Sequence, residues 1–431
     1  MGESLLTPAR PPFPRLGGVL HCGPLALDDL AEEHGTPLYV YHGDRALERL
    51  RTLRAAFGEG PPGPINPGLL VAYSVKANPN LALLRLFAWA GAGADIVSGG
   101  DLYCALTAGF PPERIVFAGV GKTRDEMCYG LEAGIRSFHV ESAQELEVLA
   151  EVAAELGRPA PLAIRINPDV HSPTHEFTRT GHAAAKFGVS PDEAFALYAR
   201  ARAHPMLRPV GVDVHIGSQL REGGPFLRAL DVMLAVAGRV RAELGIELEY
   251  ADLGGGFGIA DAEAGELDVR ALGREVASRL RGSALGLIVE PGRFLVGDAG
   301  VLVTRVLYLK RSGGKTFVVT DAGMTELIRP SHYGGVHEVT PVRDDGHGGV
   351  EVVDVVGPVC EQGDFLARER RLPLPSPGAL LCVHQAGAYG FTMASNYNSR
   401  PRPAEVLVHD GRATLVRRRE RYSDLIRGEL G

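Results

Sequence analysis

Leu69-Leu70-Val71-Ala72-Tyr73-Ser74-Val75-Lys76-Ala77-Asn78-Pro79-Asn80 carries the strongest local signal in this chain. An apolar run of strand length ends on a lysine, and Asn-Pro breaks the chain ahead of a helical stretch. A lysine at the end of a buried strand costs desolvation unless it is paired or deprotonated. The plain reading is a side chain that snorkels to solvent or makes a core ion pair. Composition points further. Only five of the 45 basic residues are lysines (Lys76, Lys122, Lys186, Lys310 and Lys315), leaving 40 arginines. Arginine cannot be deprotonated, whereas a buried lysine can act as an amine nucleophile. The chemistry to look for is therefore an imine, with pyridoxal phosphate the leading carbonyl partner.

Outward from this stretch a rhythm begins. Short apolar runs recur at 69–75, 92–97, 114–118, 135–140, 161–166, 209–215, 248–253 and 285–290. Between them lie Ala/Leu/Glu/Arg stretches of helical periodicity, such as Ser142–Leu156, Pro191–Ala203, Pro225–Leu244 and Val269–Arg281. Eight strands alternating with helices predict a (β/α)8 TIM barrel of roughly 250 residues; a doubly wound sheet is the alternative. In such a barrel the site forms at the C-terminal strand ends. Lys76, Ser98-Gly99-Gly100, Gly119, Glu141, Asn167, His215, Gly254-Gly255-Gly256 and Glu290 fall there.

After about Phe294 the pattern changes to strands joined by turns, at Val301–Leu309, Thr316–Thr320, His337–Val342, Val350–Val356, Ala379–His384 and Glu405–His409. This predicts a C-terminal all-β barrel or sandwich domain, into which the early strand near Leu38 is free to pair. The expected division is 41–294 for the barrel, with 1–40 and 295–431 forming the β domain. Residues 1–18 read as a flexible, Pro-rich lead-in.

The 431 residues and 45% hydrophobic content suit two domains with a sizeable core. A net charge of −7, without a basic stripe, argues against nucleic acid and acidic membrane surfaces. Cys22, Cys104, Cys128, Cys360 and Cys382 are odd in number and far apart, which speaks against a disulfide framework or a zinc site. No apolar run is long enough to span a membrane, and the start lacks a signal-like core. The expectation is a cytoplasmic protein.

Several rim segments carry chemistry. Glycines in Asp252-Leu253-Gly254-Gly255-Gly256-Phe257-Gly258 let backbone N–H groups approach an anion, and barrels often hold phosphate after strands seven and eight. Glu290-Pro291-Gly292-Arg293 offers a carboxylate for a heterocyclic nitrogen and a guanidinium for phosphate or carboxylate; an internal Glu–Arg pair is the plain alternative. His215-Ile216-Gly217-Ser218 offers an imidazole to stack on a ring and a hydroxyl for phosphate, unless the histidine is a satisfied core residue. In the β domain, Arg329 and Tyr333, Cys360 and Glu361, and Tyr389 with Asn396-Tyr397-Asn398 stand out, although turn chemistry alone favours such loops. No metal set or nucleophile triad is visible.

Taken in order from about Pro37 to Arg421, these segments resemble the fold-type III pyridoxal-phosphate-dependent decarboxylases, most closely the branch acting on diaminopimelate. The markers are Tyr-Ser-Val-Lys76-Ala-Asn, Ser98-Gly-Gly, Thr174-His-Glu, Thr180-Gly, Lys186-Phe-Gly, His215-Ile-Gly-Ser-Gln, Gly-Gly-Gly256-Phe-Gly, Glu290-Pro-Gly-Arg, Arg329-Pro with Tyr333, Cys360-Glu361, and Ala388-Tyr389 with Asn396-Tyr-Asn. The resemblance implies an alanine-racemase-like barrel plus a β domain, paired as a homodimer with shared sites. It implies that Lys76 anchors the cofactor, that Gly255, Gly256, Ser218, Arg293 and Tyr389 hold its phosphate, that His215 lies against the ring, and that Glu290 keeps the ring nitrogen protonated. Cys360 of a partner subunit would deliver the proton that replaces CO2.

For the substrate, Arg329, Arg293 and Tyr333 suit a distal carboxylate and Glu361 a distal ammonium, with Tyr389 nearby. The implied reaction is removal of the carboxyl at the D centre of meso-diaminopimelate, giving L-lysine. Gln362 departs from the small residue usual in the family, and its place beside Cys360 and Glu361 makes it a candidate to narrow or retune the pocket. Rival readings are a sister decarboxylase for ornithine, arginine or carboxynorspermidine, a racemase on the same barrel, and a non-catalytic cofactor-binding homologue.

Overall fold

The computed structural model describes residues 11–58, 68–170, 186–261, 264–344 and 349–430. The chain separates into two compact units, one of residues 47–295 and one of residues 1–46 with 296–431.

The first unit is built on eight parallel strands: β1 (Leu69–Ser74), β2 (Gly93–Ile96), β3 (Ile115–Phe117), β4 (Ser137–Val140), β5 (Ala160–Ile166), β6 (Leu207–Val214), β7 (Tyr250–Asp252) and β8 (Gly286–Val289). Strand β8 pairs back onto β1 through Leu287 with Leu69 and Val289 with Val71. That closure makes a barrel and rules out the open doubly wound sheet. The apolar runs are nearly continuous because parallel strands bury both faces. Leu70, Ala72, Val116, Ala163, Val210, Tyr250 and Ile288 fill part of the interior. The Tyr250 ring occupies the space a side chain at position 211 would need, since a Cβ on Gly211 would lie 2.3 Å from it.

Helices follow the strands where capping residues and apolar periodicity predict them. Ser98, Thr123, Ser142 and Ser190 each accept a hydrogen bond from a first-turn N–H. The helix over Gly224–Leu244 is the longest in the barrel unit, with Phe226, Leu230, Met233 and Val240 on its buried face. No helix among the described residues is long and apolar enough to cross a membrane.

The second unit is built on a mixed nine-stranded sheet, with a separate small three-stranded sheet near its start. Its centre is the 13-residue strand Gly300–Ser312, which pairs antiparallel with Lys315–Thr320, Leu380–Val383 and Leu38–His42. The strand near Leu38 thus joins this sheet, and Ala404–His409 runs parallel beside it. Two further strands, Phe365–Pro373 and Arg412–Arg417, escaped sequence reading because charged residues interrupt their apolar signal. One expectation is corrected. Residues 15 and 16 are not flexible lead-in but a short strand against Val19–Leu20, fixed by Arg15 donating to the carbonyls of Gly18, Pro341 and Val342. The family-like markers at Thr174-His-Glu and Thr180-Gly lie outside the described residues.

Candidate active site

Strand β1 ends at Ser74, one residue earlier than the apolar run suggests. The chain then turns through a 3-10 segment, Val75–Ala77, closed by Asn78 N–H donating to Val75 O and by the Tyr73 hydroxyl donating to Asn78 O. The turn carries Lys76 onto the rim. Its Nζ lies 2.5 Å from Asp95 Oδ2 at the end of β2. Asp95 is wholly buried, and the Ser74 hydroxyl sits 2.8 Å from the same oxygen. The lysine is therefore paired, and its side chain keeps 34% of its exposure.

Loops after β6, β7 and β8 crowd together beside it. Glu290 N–H donates to Gly254 O, Gly255 N–H donates to His215 Nδ1 at 3.2 Å, and Leu220 N–H donates to Gly256 O. A Cβ on Gly255 would lie 2.0 Å from Glu290 O, and one on Gly256 would lie 2.0 Å from Gly217 O. Gly256 also has φ +93°, which side-chain-bearing residues rarely adopt. Only glycine lets these backbones meet, and the result is a cradle of main-chain groups of the kind that receives an anion. Arg293 Nη2 lies 3.4 Å from Ser218 Oγ at its edge.

Because His215 Nδ1 accepts a hydrogen bond, its ring is neutral, with the proton on Nε2. Burial, with Arg165 and Lys76 adding positive charge nearby, pushes its pKa down to about 3. Glu290 behaves oppositely. Burial, followed by the Asp252, Asp95 and Asp213 carboxylates, raises its pKa well above the ordinary range. Its Oε1 is buried without a hydrogen-bond partner among the described residues. An amine, a glycine cradle and a buried carboxyl oxygen lacking a donor fit a phosphorylated aromatic aldehyde with a ring nitrogen.

Sequence reasoning missed the charged layer beneath this rim. His139 (β4), Arg165 (β5), Asp213 (β6) and Asp252 (β7) all project into the barrel with Asp95 and Glu290. Arg165 Nη1 donates to Glu141 Oε1 at 3.0 Å, while Glu141 also accepts from Gly119 and Gly188 N–H. The available signal was a charged or titratable residue inside five of the eight strands, such as Asp95 within Ala94-Asp95-Ile96.

Arg329, Tyr333, Cys360, Glu361 and Tyr389 belong to the second unit. Arg329 and Tyr333 bound one short helix, Arg329–Tyr333, and Arg329 Nε lies 3.4 Å from His337 Nε2. Cys360 and Glu361 are exposed. Their loop is organised by Asp364, whose carboxylate accepts Val359 N–H at 2.5 Å and Met324 N–H at 2.6 Å. Asn398 Nδ2 lies 3.5 Å from Cys360 Sγ, and a hydrogen bond to Glu361 raises the pKa of Tyr397. Tyr389 takes φ +55° in a turn between Gly387 and Gly390. A bulky residue in that region is strained, and such strain concentrates at functional sites.

Comparison with known proteins agrees with this chemistry. Residues 49–297 match the family described as pyridoxal-dependent decarboxylase, pyridoxal binding domain. The diaminopimelate decarboxylase of Aquifex aeolicus is 44% identical over 417 residues, 96% of each chain. That of Pseudomonas fluorescens is 47% identical over 96% of this chain and 97% of its own. The crystal structure of diaminopimelate decarboxylase from Helicobacter pylori complexed with L-lysine superposes with a TM-score of 0.88 at 37% identity, over 93% of this chain and 98% of that one.

Proposed function

The chain belongs to the pyridoxal-dependent decarboxylases, and within them to the diaminopimelate decarboxylases, and on that premise we propose how its residues divide the work. It is a carboxy-lyase that uses pyridoxal 5'-phosphate to convert meso-diaminopimelate to L-lysine and CO2. When bound, the cofactor supplies an electron-poor ring that takes up the electron pair released as the carboxyl group leaves.

The protein's part is to bind, orient and move protons. In our reading the Lys76 amine holds the cofactor's carbonyl carbon. Gly255 and Gly256 N–H groups, Ser218, Arg293 and Tyr389 hold its phosphate. The neutral His215 ring offers a flat face beside it, and Glu290 keeps the ring nitrogen protonated. The convergence of Lys76, the glycine cradle and the buried Glu290 on one rim supports this assignment above any other observation.

For the substrate, Arg293, Arg329, Tyr333 and Tyr389 are proposed to recognise the distal carboxylate, and Glu361 the distal ammonium. That pairing sets the D centre as the reacting carbon. The Cys360 thiol then delivers a proton to the carbon that has lost its carboxyl group. We further propose that two copies pair, each lending Cys360 and Glu361 to the other's site. Both side chains are exposed in the single chain, as that arrangement requires. We place the enzyme in the cytoplasm, on the strength of five cysteines scattered along the sequence.

The test is CO2 release by the purified protein with pyridoxal phosphate, offered the meso and LL isomers of diaminopimelate, ornithine, lysine and arginine in parallel. Release from the meso isomer alone, with lysine as product, is expected. Release from ornithine or arginine would overturn the reading of Arg329, Tyr333 and Glu361.

A further inference from the structure

His139 is wholly buried inside the barrel, one layer beneath the rim. Its Nδ1 lies 3.3 Å from Asp213 Oδ2 and 3.9 Å from Glu290 Oε1, and its Nε2 lies 3.9 Å from Asp252 Oδ2 and 3.4 Å from the Tyr250 hydroxyl. Five carboxyl groups meet in this region: Asp95, Glu141, Asp213, Asp252 and Glu290. Besides His139, the cations facing them are Lys76, paired to Asp95, and Arg165, paired to Glu141 and 3.9 Å from Asp213. Lys76 and Arg165 act on Glu290 from farther off, whereas His139 is within 4 Å of both Asp252 and Glu290, and Asp252 Oδ2 and Glu290 Oε1 lack hydrogen-bond partners among the described residues. His139 is the group that touches both.

The consequence falls on Glu290. A carboxyl buried among three carboxylates prefers to be neutral, and a neutral carboxyl cannot hold a ring nitrogen protonated. Some nearby positive charge has to offset Asp213 and Asp252 if Glu290 is to be an anion when that nitrogen arrives. Burial is the largest single influence and pushes the His139 pKa down, yet the Asp213, Asp252 and Asp95 carboxylates together outweigh it and the net shift is upward.

We propose that His139 is a positioning residue for cofactor binding, a buried imidazolium between Asp213, Asp252 and Glu290 that makes the Glu290 carboxylate available to the ring nitrogen. This rests on the proposed role of Glu290. No bond to His139 forms or breaks in the reaction, and it touches neither substrate nor cofactor.

The proposal is tested first on the unaltered protein. In selectively 15N-histidine-labelled protein, with the His139 signal identified by its loss in His139→Asn, both ring nitrogens are expected to report protonation at pH 7.5. A neutral ring there, with and without cofactor, overturns the proposal whatever the variants do. Second, His139→Asn is expected to weaken pyridoxal phosphate binding about tenfold and to alter the visible spectrum of the bound cofactor. It should lower kcat with KM unchanged. Third, the affinity losses of His139→Asn and Glu290→Gln should not multiply in the double variant, because one acts through the other. Wild-type affinity and spectrum in His139→Asn, or fully multiplicative losses, would overturn the idea. If His139→Asn does not fold, His139→Gln supplies both the signal identification for the wild-type NMR result and the binding measurement. Absence of cofactor-dependent CO2 release in the unaltered protein would sink the functional reading instead, leaving the imidazolium measurement independently readable.

Discussion

Lys76 Nζ and Asp95 Oδ2 stand 2.5 Å apart at the barrel rim, the carboxylate wholly buried and the ammonium partly open to solvent. The pair accounts for a lysine at the end of an apolar strand, and it sets a chemical problem. Asp95 favours the charged amine, whereas attack on a carbonyl needs the neutral one. The carboxylate therefore orients the amine while delaying its reaction.

Replacing Asp95 with Asn should expose that trade. The carboxylate accepts from the amine and fixes its direction. Without it, cofactor uptake at neutral pH, followed by absorbance, should become faster, while kcat falls because the amine is no longer held. An unchanged uptake rate would mean that Asp95 does not control the amine.

The glycine cradle makes a sharper steric prediction. Gly255→Ala and Gly256→Ala each drive a Cβ to 2.0 Å from a backbone carbonyl oxygen that cannot rotate away. Overpacking of this kind costs about 1–3 kcal/mol. Urea unfolding of the cofactor-free protein should show that loss, with weaker pyridoxal phosphate binding besides. Gly238→Ala is the control. It lies inside the helix Gly224–Leu244 with nothing within 4 Å of its added carbon, and should stabilise the protein by about 0.5–1 kcal/mol.

Asp252 predicts a pH dependence. Burial, then the Asp213 carboxylate, raises its pKa to about 7 from an ordinary 3.8. Between those values the folded protein keeps a proton that the unfolded chain has released. Stability contributed by this group is therefore greatest at low pH and declines as pH rises through the window. Asn at this position retains an oxygen for the Gly254 N–H, which now donates to Asp252 Oδ1. Urea unfolding of cofactor-free wild type and Asp252→Asn should give a difference in favour of the variant that grows from about pH 5 to about pH 7. A constant difference would refute the assigned shift.

The barrel was legible because parallel strands buried on both faces read as apolar runs, and serine and threonine caps mark where helices resume. The rim was legible for the same reason, since strand ends can be counted. What lay hidden was depth. Asp95, His139, Arg165, Asp213 and Asp252 each sit within a strand already identified, but a single charge in an apolar run says nothing about its neighbours. Their meaning comes from barrel closure, which sets Asp213 of β6 level with Asp252 of β7 and with Arg165 of β5. In the second unit, Phe365–Pro373 was missed because Arg368, Glu369, Arg370 and Arg371 obscure its alternation. The work of Asp364 on backbone N–H groups needs three-dimensional contacts to be seen.

That work leads to the last prediction. Asp364 accepts from Val359 and Met324, and a Cβ on Gly357 or Gly323 would collide with its carboxylate. The Cys360 loop is thus wrapped around one buried acid. Loss of a proton donor typically costs about 10²–10⁴ in rate, so Cys360→Ala should lower kcat by at least the lower figure with cofactor affinity unchanged. Asp364→Asn offers one acceptor oxygen where two N–H groups need one each, so the loop should shift and carry the thiol with it. Its kcat should fall without any change at Cys360 itself. Because both changes act on the same proton transfer, the double variant should be little slower than Cys360→Ala alone. If the two losses multiply, Asp364 supports the fold of its unit and not the placement of the thiol.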